Sequence, residues 1–210
     1  MNGAKNPTGA HQALKVLLVD GEPGRAAILE RALLDAGYEL VSRLPSVDHL
    51  NEHVQRLQPD VVIIDIEFPD RDCFENMASV SRTNPRPIVM LSEESDELSI
   101  SLAIQSGVSA YLANDIPPER VRPIIQVAVA RFREFQALQQ ELQATKDQLA
   151  DRKLIDKAKG LLMKHRKFSE DEAYHAMRKL AMERKQKLAD TAKSVIEVFD
   201  LLNGGGSGDE

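Results

Sequence analysis

Five short strand-like runs, rich in consecutive apolar residues and separated by segments of helical periodicity, leave few folds open to the first half of this chain. The runs are Lys15 to Asp20, Glu39 to Arg43, Val61 to Asp65, Pro87 to Ser92 and Ala110 to Ala113. Between them the spacing predicts helices over Ala26 to Ala36, Val47 to Leu57, Phe74 to Ser81 and Leu98 to Gln105, with Gly37 and Gly107 as stops. Runs such as VVIID, apolar at successive rather than alternate positions, suit strands covered on both faces. Strand and helix in alternation then predict a doubly wound α/β domain with a five-stranded parallel sheet over residues 14–123. In such a sheet ligands gather beyond the carboxyl ends of the strands. The side chains expected there are Asp20, Glu22, Asp65, Ser92 and Asn114. Clustered carboxylates attract a hard divalent cation, so Asp20, Glu22 and Asp65 are the candidate ligands for Mg²⁺.

From Pro118 the pattern turns helical and stays so to about Lys153. Ile125, Ala128, Phe132 and Phe135, then Leu138, Leu142, Thr145 and Leu149, form a nearly heptad stripe over residues 124–151. A coiled-coil homodimer through Phe135, Leu138, Leu142 and Leu149 is the favoured reading, because two linked modules on one ligand gain avidity. The alternative is that the stripe packs back on its own chain. His49 and His53 have a spacing that can hold zinc, but nothing spaced like a third ligand accompanies them, so a solvated face is expected.

Residues 152–202 read as a small three-helix bundle. Leu154, Ile155, Ala158, Leu161 and Leu162 give the first apolar face, and Ala173, Ala176, Met177, Leu180 and Ala181 the second. Leu188, Ala189, Ala192, Val195, Ile196 and Phe199 give the third. Ser169 and Glu172 have the spacing of a capping box at the start of the second helix. The net charge of −6 hides an asymmetry here. Residues 14–123 hold 10 basic and 19 acidic side chains, and residues 151–200 hold 13 basic and 9 acidic. An acidic half joined to a basic half suits either a regulatory domain controlling a nucleic-acid reader or two ordinary solvated surfaces that happen to differ. Lys157, Lys159, Lys164, Arg178, Arg184 and Lys185 are the phosphate-contact candidates. Tyr174 is either a half-buried core aromatic or a platform for an unpaired base. Gly160, in mid-helix, implies close approach of another helix or of an RNA backbone.

These residues carry two resemblances. AKGLLM at 158–163, S-x-x-E-A-Y at 169–174 and M-R-x-x-A-M at 177–182 resemble the ANTAR domain of AmiR- and NasR-type transcription antiterminators. That resemblance implies binding to paired stem-loops in leader RNA, preventing a terminator hairpin. The arrangement of residues 14–123 resembles the receiver domain of two-component response regulators. It implies that Asp65 is the phosphoacceptor of a phosphorelay, and that Ser92 and Tyr111 are switch residues. Two positions depart from the receiver pattern: Gly21 replaces the second of two adjacent acids, and Asn114 replaces a lysine. Both weaken the case for ordinary phosphorelay control. The whole arrangement looks most like NasT-like regulators of nitrate and nitrite assimilation, which implies a sensor partner, either a nitrate-binding protein or a histidine kinase.

The expected architecture is thus a receiver-like sheet, a long coiled-coil helix and a three-helix RNA-binding domain. Loose segments are expected at 1–13 and 203–210. A DNA-binding regulator and a protein-interaction adaptor are the competing readings. An enzyme is not expected, since no nucleophile–base pair or phosphate-binding Gly loop is visible. Cys73 stands alone, so no internal disulfide can form, and a reducing cytoplasm fits. No apolar run approaches membrane-spanning length, and no signal-peptide core is visible.

Overall fold

A computed structural model describes residues 13–94, 96–113 and 116–204. The expected terminal arms and Asn114 therefore lie outside the described residues, except for residues 13, 203 and 204. The chain divides into two compact units, residues 1–136 and 137–210.

In the first unit the strands are β1 (Lys15–Asp20), β2 (Glu39–Leu44), β3 (Val61–Asp65), β4 (Ile88–Ser92) and β5 (Ala110–Ala113). All pair in parallel, in the order β2-β1-β3-β4-β5. The order reverses at β1, which opens a crevice beyond the carboxyl ends of β1 and β3. Four helices connect the strands: α1 (Pro23–Asp35), α2 (Leu50–Leu57), α3 (Arg71–Thr83) and α4 (Glu97–Gln105). β1, β3 and β4 are buried almost throughout because helices cover both sheet faces. One face packs Leu17, Val19, Val62, Ile64 and Met90 against α2 and α3 residues such as Val54 and Met77. The other packs Val16, Leu18, Ile63 and Val89 against Leu29 and Leu33 of α1 and against Val121, Ile125 and Ala128.

Helix limits differ from expectation where capping decides them. α1 starts at Pro23, whose fixed φ suits a first helical turn, rather than at Ala26. α3 starts at Arg71 because the Asp70 carboxylate accepts the Cys73 amide at 2.8 Å. α2 starts at Leu50, since His49 is left-handed (φ 55°), so His49 and His53 do not share a helix. Burial, then the Asp70 charge, pushes the Cys73 thiol up to about 12, which makes it inert at neutral pH.

The following helix, α5, runs unbroken from Pro118 to Arg166. At 49 residues it is about 74 Å long. The expected first short helix of the bundle is therefore the end of α5. Nothing between 124 and 159 is a glycine or proline, so no residue there stops the helix. The stripe on α5 also divides. Ile125 and Ala128 are buried on the first unit's own sheet, whereas Phe135, Leu138, Leu142 and Leu149 are about half exposed.

In the second unit, α6 (Glu170–Arg184) and α7 (Leu188–Gly204) complete the bundle. Ala158, Met177, Ala192 and Ile196 form its centre, flanked by Leu154, Ile155, Leu161, Leu162, Leu188 and Val195. Ala176, expected in this core, is exposed, because the buried stripe of α6 runs through Ala173, Met177 and Ala181. Among the described residues no helix is long and apolar enough to cross a membrane.

Gly107 closes α4 with φ +91°, and a Cβ there would run into the Ser81 side chain, 2.7 Å from its Cβ. Gly107→Ala is expected to lower unfolding stability by about 1–3 kcal/mol, measured by urea denaturation. An unchanged midpoint would show that the contact relaxes freely.

Candidate functional site

The parallel register of β1 and β3 sets Asp20 directly beside Asp65 at the carboxyl end of the sheet. Neighbouring strands lie about 4.8 Å apart, so the two carboxylates face the same crevice. Both are buried, Asp20 completely. Asp20 Oδ1 accepts the Glu22 amide at 2.7 Å, while Oδ2 is buried without a hydrogen-bond donor among the described residues.

A basic side chain that sequence reasoning missed enters this pocket. Arg25, on the first turn of α1, places Nε 3.3 Å from Asp65 Oδ2. Its Nη1 donates to Glu67 Oε1 at 3.2 Å, and Nη2 lies 3.9 Å from Glu22 Oε2. Burial disfavours its charge, but Asp65, Asp20, Glu67 and Glu22 outweigh that and hold its pKa above the ordinary value. The available signal was a lone cation three residues after Glu22, on the helix that begins where β1 ends.

The expected ligand triad is corrected accordingly. The Glu22 side chain precedes α1, is 58% exposed and leans toward Arg25. Among the described residues no three Asp, Glu, His or Cys side chains converge as ligands. The remaining pair, Asp20 and Asp65, still fits Mg²⁺, which binds through one or two carboxylates and retains waters. Asp20 Oδ2, buried without a hydrogen-bond donor, is the observation that favours a cation there. Bound there, Mg²⁺ would neutralise charge on an incoming phosphoryl group.

Ser92 and Tyr111 lie on β4 and β5 and meet through one loop. Ser92 Oγ donates to the Glu67 carbonyl at 2.9 Å and accepts the Glu94 amide at 3.1 Å. The Tyr111 hydroxyl donates to the Glu94 carbonyl at 2.6 Å. Both switch candidates therefore hold Glu94, a residue no motif singled out. The Glu67 carbonyl also accepts the Glu93 amide at 3.2 Å, which fills its two lone pairs.

In the second unit the expected phosphate-contact residues fare differently. Lys157, Lys164, Arg178, Arg184 and Lys185 are exposed. Lys159 is not free. Its Nζ lies 2.9 Å from Asp156 and 2.7 Å from Glu170, with the side chain 17% exposed. The bonds to Glu170, then Asp156, raise its pKa, and its charge joins α5 to α6. Among the described residues no other element comes within 4 Å of where a Gly160 side chain would start, so close helix approach does not explain it. Lys153, Lys157, Gly160 and Lys164 are spaced 4, 3 and 4, a single exposed stripe of α5 with a gap at its middle. Tyr174 is 38% exposed, with its ring edge to His175 at 6.1 Å, and shares an α6 stripe with Arg178. The His165 ring lies 4.9 Å from that of Phe199 on α7.

Comparison with known proteins matches both units. Residues 16–126 match the response regulator receiver domain, and residues 143–196 match the ANTAR domain. Over 199 residues the chain is 30% identical to the transcriptional regulatory protein PdtaR of Mycobacterium tuberculosis, covering 95% of this chain and 97% of PdtaR. Over 68 residues it is 40% identical to the nitrate regulatory protein of Klebsiella oxytoca, covering 32% of this chain and 17% of that protein. Among solved structures, the signal receiver domain of a modulated diguanylate cyclase from Desulfovibrio desulfuricans G20 superposes with TM-score 0.52 at 21% identity. It covers 58% of this chain and 98% of that one. A CheY-like receiver domain protein from Methanospirillum hungatei superposes with TM-score 0.52 at 15% identity, covering 59% and 98%. These two likenesses show the fold.

The cap of α6 predicts a pH response. Ser169 Oγ accepts the Glu172 amide, and Glu172 Oε2 accepts the Ser169 amide at 2.8 Å. The Ser169 amide, then its hydroxyl, holds the Glu172 carboxyl below its ordinary range. A depressed carboxyl stabilises the fold above its unfolded pKa, and that contribution disappears as pH falls through the folded value. The melting-temperature gap between wild type and Glu172→Gln is therefore expected to be largest at neutral pH and to close below the carboxylate range. A gap independent of pH would count against the charged cap.

Proposed function

The chain is a response regulator in which a receiver domain precedes an ANTAR domain, and from that premise we propose that it is an RNA-binding transcription antiterminator. The family is regulatory rather than enzymatic, ANTAR proteins bind RNA, and receiver domains interact with histidine kinases. The proposed ligand is a pair of stem-loops in leader RNA, held so that a terminator hairpin does not form.

The observation that carries this reading is the open stripe on α5. Lys157 and Lys164 flank Gly160, where a side chain would meet no atom of another element among the described residues. A glycine in mid-helix costs about 1 kcal/mol relative to alanine, so its presence calls for something that needs the space. A phosphate backbone lying between two lysines needs it. Arg178, Arg184 and Lys185 extend the proposed contacts, and Tyr174 offers a face for an unpaired loop base. Lys159 is left out because its charge is committed to Asp156 and Glu170.

Paired stem-loops call for paired readers. Phe135, Leu138, Leu142 and Leu149 leave an apolar stripe exposed on α5, which supports a coiled-coil homodimer. Two ANTAR modules joined by such a helix would engage adjacent stem-loops with high effective concentration. For the input we propose a sensor partner, either a nitrate-binding protein or a histidine kinase, with nitrate or nitrite assimilation as the controlled process. The 40% identity to the nitrate regulatory protein over 68 residues supports that choice.

The purified protein is expected to shift a leader RNA with two adjacent stem-loops more tightly than duplex DNA of equal length, with strong salt dependence. Gly160→Ala is expected to raise helix stability by about 1 kcal/mol while weakening that RNA complex. A stabilised variant with undiminished RNA affinity would remove the close-approach role, and equal shifts of RNA and DNA would sink the antiterminator reading. Leu142→Asp is expected to halve the mass seen by light scattering, and an unchanged mass would rule out the α5 interface.

A further inference from the structure

We propose that Arg25 is a built-in competitor of the divalent cation, so that a metal ion enters the Asp20–Asp65 pair only by displacing the guanidinium. The inference concerns the acidic pocket alone and does not depend on the RNA target.

Charge and space set the two cations against each other. Asp20 and Asp65 are buried neighbours on adjacent strands. Arg25 Nε already lies 3.3 Å from Asp65 Oδ2, and Nη1 reaches Glu67. A divalent ion bound to the same two carboxylates would sit within a few ångströms of this guanidinium. Like charges at such a distance repel strongly where water is scarce. The two cations are therefore alternatives.

A third carboxylate on the buried side of the pair could have let them coexist, but the position next to Asp20 leaves little room for one. Gly21 is the position between Asp20 and Glu22, and a Cβ there would sit 3.1 Å from the Pro45 carbonyl oxygen. The Glu67 carbonyl is no substitute ligand, because Ser92 and Glu93 occupy both its lone pairs. The buried end of the pocket thus has two carboxylates to share between one resident and one incoming cation, while the more exposed Glu22 and Glu67 lie on the outer side of the guanidinium.

Displacement has a route. The Arg25 side chain is 21% exposed, so one side faces water. Glu22 lies at that mouth, 58% exposed and 3.9 Å from Nη2. A guanidinium released from Asp65 can keep an ion pair with Glu22 one helical turn away. This gives Glu22 a role that fits its position better than metal ligation: it receives the displaced arginine. Release would also free the Glu67 side chain, whose backbone carbonyl is tied to Ser92. Occupancy of the pocket is thereby linked to the loop that Ser92 and Tyr111 hold.

The test uses the full-length protein and Mn²⁺ as the probe, titrated by electron paramagnetic resonance. Arg25→Gln is expected to bind Mn²⁺ about tenfold or more tightly than wild type. Arg25→Lys, which retains the charge, is expected to stay close to wild type. Adding Asp20→Asn to Arg25→Gln is expected to abolish the gain, which locates the metal. Equal affinity in wild type and Arg25→Gln, or a gain that survives Asp20→Asn, would overturn the proposal. A measurement on wild type alone covers the case in which Arg25→Gln does not fold. On saturation with Mg²⁺, the Arg25 Nε–H resonance is expected to lose its protection from solvent exchange. A resonance still protected in the metal-loaded protein would equally overturn it.

Discussion

Two buried carboxylates on adjacent strands call for a compensating positive charge, and the regulatory half of this protein is arranged around that constraint. The register of β1 against β3 places Asp20 beside Asp65. The sheet that enforces the register is covered on both faces, which removes the water that would otherwise dilute the charge. Arg25 supplies the compensating charge from the first turn of α1. Through Glu67 the same guanidinium reaches the loop after β3, and through the Glu67 carbonyl that loop is joined to Ser92. Strand pairing, helix start and loop position are thus tied to one electrostatic requirement.

The ANTAR half obeys a different physics. Its core is small, built from alanines, Met177 and Ile196, which lets three helices approach closely. Its charges divide into two classes that look alike in the sequence. Lys159 closes the bundle by joining α5 to α6, while Lys157 and Lys164, two and five residues away, are exposed. One long helix serves both halves, burying Ile125 and Ala128 against the sheet and Ala158 in the bundle. Between them every residue from 138 to 153 is exposed, so this stretch packs against nothing among the described residues of its own unit.

Much of this was legible beforehand for identifiable reasons. Consecutive apolar residues in β1, β3 and β4 announced a doubly covered parallel sheet, and an acid at the end of a strand announced the edge at which Asp20 and Asp65 meet. Ser169 and Glu172 announced a capping box because that signal is local, needing only two side chains three residues apart. Signals that depend on a distant partner were harder. Nothing local distinguishes Lys159 from its neighbours, since Glu170 is eleven residues away across a turn. Glu22 looked like a ligand by proximity to Asp20, yet its backbone amide, rather than its carboxylate, contacts Asp20.

The sequence by itself determined the order of elements, the burial of the strands, the position of Asp20, Asp65 and Ser92 at strand ends, and the basic character of residues 152–202. These follow from periodicity, local capping and composition, all properties of neighbouring residues. Only the tertiary structure decided which charges are spoken for. Arg25 belongs to the acidic pocket because α1 turns back over the ends of β1 and β3. Lys159 belongs to the bundle because α6 folds back on α5. Gly160 stands in open space because no helix of its own unit approaches it. Charge pairing acts over a few ångströms in space whatever the separation in sequence, and it is the fold that sets those distances.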